Sequence, residues 1–405
     1  MWLSRYAQAM SSPLPAPSAE EHAHAERLAA LLREMIAAHG PLPFSSYMER
    51  CLYAPGLGYY SAGKTKFGPA GDFITAPELG ELFARCVAEA MRPALAALGA
   101  QADVLELGGG SGAFAETALR ALAAGGTPPR RYLILEPSAD LRERQRERLR
   151  SALPSALATR VQWLDRPPRS PWRGVLFANE VIDALPATRF AIAQGEVYEE
   201  HVALDEHGAF VRRDLPADAL VRSAVRRVER DLEAPFADGY RSEILPQLPY
   251  WLEAVAGTLE AGLLLFVDYG YPRREYYLPE RRDGTLMAHY RHRAHADPFF
   301  LPGLNDLTAS VDFTALAEAG HGAGFELLAY VPQSAFLLAH GLPEAFEQAW
   351  SASEDEVRRL GLAQEVKRLT LPGQMGERFQ AMLFARGLEL ALPDELLAAD
   401  RRARL

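Results

Sequence analysis

The chain has 405 residues, enough for more than one minimal domain and a large core. Hydrophobic residues make up 49% and charged residues 24%, the balance of a globular protein, and a formal net charge of -10 offers no global electrostatic case for nucleic acid. Cys51 and Cys86 form neither a metal-spaced motif nor a disulfide framework, and no apolar run reaches the roughly 20 residues of a membrane helix. No charged-then-apolar leader pattern opens the chain. The expected compartment is therefore the cytoplasm, with neither nucleic acid nor membrane as a partner.

Residues 1–20, rich in Ser, Pro and Ala, read as a mobile tail. From Glu21 to His39 the apolar positions Leu28, Leu31, Leu32, Met35 and Ile36 follow helical spacing, and Gly40-Pro41 stops the helix. Pro43–Tyr53 reads as a short capped helix. Between Pro55 and Glu78, glycines, prolines and aromatics are too dense for a regular element. On the residues alone this stretch is either a turned loop packed by its own aromatics or a lid over the cofactor, with Asp72, Thr75 and Glu78 as polar contacts. A long helix over Leu79–Leu98 follows.

Asp103–Leu107 is a short apolar run carrying Glu106, and it ends in Gly108, Gly110 and Gly112 before a helix-compatible stretch. Strand, tight turn and helix start present backbone N–H groups to a nucleotide-type cofactor. The spacing G-x-G-x-G departs from the G-x-G-x-x-G of dinucleotide enzymes and resembles motif I of S-adenosylmethionine-dependent methyltransferases. In those enzymes the acid before the glycines lies near the methionine amino group. A second strand ends in Glu136, where an acid suits ribose hydroxyls because an ionised carboxylate only accepts. A third, Val161–Asp165, ends in Asp165, either an adenine contact or a loop cap. A fourth, Arg173–Ala178, runs into Asn179, Glu180 and Asp183, three polar groups that packing does not explain, although Asn179 and Asp183 also suit turn caps.

Alternation over Phe190–Val211 predicts a β-hairpin pair, Ala217–Leu232 a peripheral helix, and Ile244–Leu259 a further helix. Leu263–Pro272 is a fifth buried strand that includes Tyr269. Gly284–His295 spaces three histidines but adds no carboxylate or Cys, so it reads as a surface or cleft-lining loop with no metal. Phe325–Val331 and Phe379–Ala385 are late strands, with helices over Thr314–Ala319, Ser334–Gly341 and Glu344–Thr370. The C-terminal arginines are expected to fray.

Taken together, Tyr47-Met48, Leu52-Tyr53, Gly58-Tyr59-Tyr60, Gly71–Glu78, Glu106–Gly112, Asn179-Glu180, Asp183–Pro186, Asp268-Tyr269-Gly270 and Gly284–Leu286 through Asp312–Thr314 resemble the MidA family. These segments stand in family order over most of the chain. After Glu78 the family pattern Ser-Gln-x-Phe-Gly is replaced by Leu79-Gly80-Glu81-Leu82-Phe83. The resemblance implies a Rossmann-like class I methyltransferase: an α/β fold with a mostly parallel seven-stranded sheet, helices on both faces and an N-terminal lid. Residues 21–101 would form the helical and lid region. Residues 102–405 would form the core, with insertions at about 190–242 and 272–312. S-adenosyl-L-methionine is the implied cofactor, held by Glu106, Gly108, Gly110, Gly112, Glu136, Asp165 and Asn179. Studied eukaryotic members are linked to arginine dimethylation of a complex I subunit, which implies an arginine-bearing protein substrate. Glu180 and Asp183 are then the catalytic candidates, and Asp72, Phe73, Thr75, Glu78, Tyr269 and Tyr290 the substrate and lid contacts. A methyltransferase acting on a small molecule or other acceptor and a non-catalytic assembly factor that keeps the fold are the alternatives carried forward, and a homodimer is an open expectation for partners.

Overall fold

The computed structural model describes residues 14–61 and 76–405. By internal contacts the chain divides into two compact units. One comprises Ile74–Val181, Leu248–Gly270 and Phe313–Leu405; the other comprises Met1–Phe73, Ile182–Gln247 and Tyr271–Asp312. The long helix after Glu78 thus groups with the α/β core rather than with the N-terminal region, where the sequence reading put it.

The first unit contains all seven expected strands: β1 (Asp103–Leu107), β2 (Tyr132–Leu135), β3 (Val161–Leu164), β4 (Trp172–Asn179), β5 (Leu259–Tyr271), β6 (Glu326–Pro332) and β7 (Phe379–Arg386). They lie in the order β6-β7-β5-β4-β1-β2-β3. Neighbours from β5 through β3 are parallel, and β7 is antiparallel to both β5 and β6. β1 is buried along its whole length, its Asp103 and Glu106 included, as a strand covered on both faces should be. From β1 the chain winds outward through β2 and β3, and from β4 it winds the other way. The carboxyl ends of β1 and β4 therefore flank a topological switch point, where open α/β sheets take ligands.

Helices Leu82–Leu98 and Ala113–Ala124 bury Phe83 and Phe114 in the core, and Phe114 stacks on Phe177 of β4 at 4.3 Å. Ser138 caps helix Ala139–Ala152 by accepting the Leu141 N–H. Arg130 and Arg131 both pair with buried Asp103 at 2.6 Å, which pins the start of β1. The expected helix Glu344–Thr370 is two helices, Leu342–Ser351 and Glu356–Thr370, because Asp355 caps the second. The C-terminal arginines do not fray: Arg401 N–H donates to the Tyr330 carbonyl at 2.7 Å and Arg402 to that of Leu327 at 2.9 Å.

In the second unit, helix Ala19–His39 and helix Phe44–Tyr53 bury Leu28, Leu32, Phe44, Tyr47 and Leu52 against Val202 and Leu307. Its larger sheet joins Leu42–Pro43, Glu196–Leu204, Thr188–Ala193 and Arg241–Ile244, with Phe210–Pro216 on the far side of Glu196–Leu204. Arg241–Ile244 is a strand and the following helix is only Leu248–Ala256, so the expected Ile244–Leu259 helix is corrected at both ends. The pairing partner Thr188–Ala193 lies 50 residues upstream and overrides local pattern. The histidine-bearing stretch is not a loop. Met287–Tyr290, Arg293–His295 and Asp306–Thr308 form a small antiparallel sheet.

Candidate cofactor site

After β1 the backbone turns left-handed at Gly108, Gly110 and Gly112, with φ of 67°, 52° and 82°. A side chain at these positions would strain the turn, and glycine also leaves the peptide faces open to a ligand. Gly112 then leads directly into helix Ala113–Ala124 and carries no side chain to cap it; the first helical N–H, that of Ala113, donates to the Ser111 hydroxyl at 3.3 Å. Glu106 is buried, and the Tyr132 hydroxyl donates to its carboxylate at 2.8 Å. Burial above all, then the Glu136 charge, pushes the Glu106 carboxyl up to about 8 against the lowering effect of that hydrogen bond.

Glu136, just past β2, is also buried. It accepts the Ser138 N–H at 3.0 Å and the Gln145 amide at 3.4 Å. Asp165 follows β3 with its side chain 84% exposed and paired to Arg142. Asn179 ends β4, where its amide donates to Glu180 Oε1 at 3.0 Å. Its Oδ1 is buried and has no hydrogen-bond partner among the described residues. A buried polar atom of this kind needs a partner, and a ligand is one way to supply it.

Glu180 has φ of 52°, in the left-handed region that non-glycine residues rarely enter, and its N–H donates to the Val267 carbonyl at 2.9 Å. Such a conformation costs on the order of 1–2 kcal/mol and clusters at functional sites. Glu78, in the short helix Ala76–Leu79, accepts from the Ser111 hydroxyl of the glycine turn. Tyr269, near the end of β5, lies 5.4 Å from the Phe379 ring. Asp72, Phe73 and Thr75 lie outside the described residues.

The remaining candidates belong to the other unit. Asp183 is buried, and its carbonyl accepts the Ala309 N–H at 3.0 Å. Glu180 and Asp183, read together from sequence, thus fall in different units. Tyr290 is 1% exposed and packs on Phe300 at 5.7 Å beside Leu301 and Leu304. Sequence reasoning did not single out Tyr53, Tyr60 and Asp306 for chemistry. The Tyr60 hydroxyl donates to Asp306 at 3.0 Å, the Tyr53 hydroxyl donates to the Ala184 carbonyl at 2.9 Å, and the two rings stack at 5.5 Å. Burial first, then the Asp306 charge, holds the Tyr60 phenol well above its ordinary range. The readable signal was the run of tyrosines around Pro55-Gly56. Among the described residues no group of three His, Cys, Asp or Glu side chains could hold a metal ion.

Two carboxylates at the ends of adjacent parallel strands, a left-handed glycine turn opening a helix and an orphaned amide oxygen at the switch point define a class I nucleotide-cofactor site. Residues 80–331 match a family described as S-adenosyl-L-methionine-dependent methyltransferase, and the chain belongs to that family. A crystal structure of a Burkholderia thailandensis protein bound to S-adenosyl-homocysteine is 42% identical. It covers 97% of this chain and 100% of its own, with a TM-score of 0.89. The Drosophila melanogaster protein named Protein arginine methyltransferase NDUFAF7 homolog, mitochondrial, is 28% identical over 95% of this chain and 91% of its own length. The Homo sapiens protein of the same name, without "homolog", is 25% identical over 94% and 86%. The protein is an S-adenosyl-L-methionine-dependent methyltransferase. The expected cytoplasmic location is corrected: relatives matched over most of this chain carry mitochondrial names.

Proposed function

We propose that the methyl group goes to an arginine side chain of a protein. The observation that carries this reading is that relatives matched over most of the chain are named protein arginine methyltransferases. The orphaned Asn179 oxygen, the left-handed glycine turn and the buried carboxylates suit a cofactor that is cationic at one end and a nucleoside at the other. Glu106 would hold its amino end, Gly108 to Gly112 its middle, Glu136 its ribose hydroxyls and Asp165 its base edge. When bound, it supplies a methyl group already activated on a sulfonium, so the protein's task is to aim the acceptor lone pair.

An arginine side chain is protonated in water and planar. A carboxylate that accepts from two of its N–H groups fixes the plane and draws the positive charge away from the third nitrogen. Glu180 is the first residue assigned to that role, because its backbone is held left-handed by the β4 end. Asp183, in the other unit, is carried as a separate candidate, and Glu78 is the lid residue that touches the glycine turn.

The test is transfer of labelled methyl from S-adenosyl-L-methionine into an extract of the source cell, followed by mass spectrometry of labelled protein. Label on arginine supports the reading. Label confined to small molecules makes this a different methyltransferase, and absence of transfer despite cofactor binding makes it a non-catalytic assembly factor. Glu180→Gln and Asp183→Asn should keep S-adenosyl-homocysteine affinity within about twofold and lose roughly 100-fold or more in transfer rate. Wild-type rates in both variants would remove the assignment.

A further inference from the structure

Gln145, in the polar helix Ala139–Ala152, is fully buried. Its Nε2 donates to the Gly110 carbonyl at 2.8 Å and to Glu136 Oε2 at 3.4 Å, and its Oε1 accepts the Trp163 indole N–H at 2.8 Å. The chemistry of the partners decides which way the amide points. An indole N–H only donates, and a carbonyl and an ionised carboxylate only accept, so the flipped amide would lose all three bonds. One side chain therefore ties the glycine turn, the acid after β2 and the tryptophan of β3. The turn is also moulded over it. A Cβ at Gly109 would stand 3.1 Å from Gln145 Nε2 and 2.8 Å from Ile134 Cγ2, and one at Gly112 would stand 3.5 Å from Gln145 Cα. This accounts for a glycine at position 109, which G-x-G-x-G spacing does not require.

We infer that Gln145 is a positioning residue for the nucleoside half of the cofactor. It holds the Gly110 peptide and the Glu136 carboxylate in the relative placement that accepts the ribose. The inference rests on the reading that Glu136 takes the ribose hydroxyls. Gln145 acts through that carboxylate, so its loss must be visible in the recognition of those hydroxyls as well as in overall affinity.

The experiment measures calorimetric affinity of the full chain for S-adenosyl-homocysteine and for its 2′,3′-dideoxy analogue. Gln145→Leu removes all three bonds. Gln145→Glu keeps the shape and the acceptor for Trp163 but sets a carboxylate against the Gly110 carbonyl and Glu136, so it serves if the leucine variant fails to fold. Wild-type protein should prefer the hydroxylated ligand by about tenfold or more, the scale of a hydrogen bond to a charged group. Each Gln145 variant should bind S-adenosyl-homocysteine about tenfold more weakly and bind the dideoxy analogue almost as wild type does, so that the preference collapses. A variant that weakens both ligands equally, or neither, overturns the inference. Glu136→Gln separates the two failures. If it leaves the preference intact, the ribose reading falls and takes this inference with it; if it abolishes the preference while Gln145 variants retain it, only the role of Gln145 falls.

Discussion

If Glu106 holds the amino end of the cofactor, as proposed above, cofactor binding should depend on pH in a calculable way. In the cofactor-free protein its carboxyl, pushed up to about 8 chiefly by burial, carries a proton at neutral pH. Its folded value stands above its ordinary 4.5, so its contribution to stability is complete below about 4.5 and is lost as pH rises through about 8. The methionine end of the cofactor carries an ammonium, and an opposite charge nearby favours the carboxylate. Binding below pH 8 should then release up to one proton. Affinity for S-adenosyl-homocysteine should rise toward tenfold per pH unit between pH 6 and 8 and level off above. Over those two units the change approaches about 2.7 kcal/mol, at about 1.36 kcal/mol per unit. Calorimetry at pH 6, 7, 8 and 9, in buffers of differing ionisation enthalpy, reads both affinity and proton release. Glu106→Gln retains an acceptor for the Tyr132 hydroxyl and should bind without pH dependence, near the weak acid-limb affinity. A wild-type affinity that is flat from pH 6 to 9, with no proton release, would refute the reasoning.

Three further outcomes concern stability. A Cβ at Gly80 would overlap the Glu365 carboxylate, which accepts the Leu82 N–H at 2.7 Å at the start of helix Leu82–Leu98. Gly80→Ala should therefore displace that cap and cost about 0.5–2 kcal/mol in urea unfolding, with little added loss when Glu365 is already Gln. Arg189 is 1% exposed and pairs with buried Glu200 at 3.1 Å and with buried Glu243. Arg189→Met takes one cation from both carboxylates, but Glu200 keeps Arg241 at 3.1 Å and Glu243 keeps the Thr285 N–H at 2.7 Å. The cost by denaturant midpoint should therefore sit near the low end for a broken buried pair, about 3 kcal/mol, with part of it recovered when Glu243→Gln is added. A Cβ at Gly174 would overlap the Asp103 carbonyl oxygen between β4 and β1. Backbone cannot swing aside as a side chain can, so Gly174→Ala should lower the melting temperature by more than Gly80→Ala does.

The core strands were readable because strands covered on both faces need unbroken apolar runs, as in Leu263–Val267. The acids Glu106 and Glu136 were readable because their places at strand ends follow from the glycine turn. What escaped was set by tertiary partners. Arg241–Ile244 is a strand because Thr188–Ala193 pairs with it, and Tyr290 is buried because Phe300 and Leu304 come to meet it. Gln145 was hidden by its setting, since a helix otherwise crowded with Arg and Glu gives no sign that one amide points inward. The break before Glu356 was legible after all, as the Asp355 cap is a local signal overlooked within a long helical pattern.

The division of the chain bears on its synthesis. Leu28 and Leu32 share a core with Val202 and Leu307, and the unit they build closes only with the segment ending at Asp312. A ribosome adding about 5–20 residues per second needs roughly 15–60 s to travel from the first of these leucines to Leu307. For that interval the amphipathic helix Ala19–His39 and its neighbour Phe44–Tyr53 have been made and the last of their shared core, Leu307, has not. This pair is thus the part of the nascent chain with most need of a chaperone. A fragment ending near Val181 would lack Val202 and Leu307 from this core and should aggregate when expressed alone.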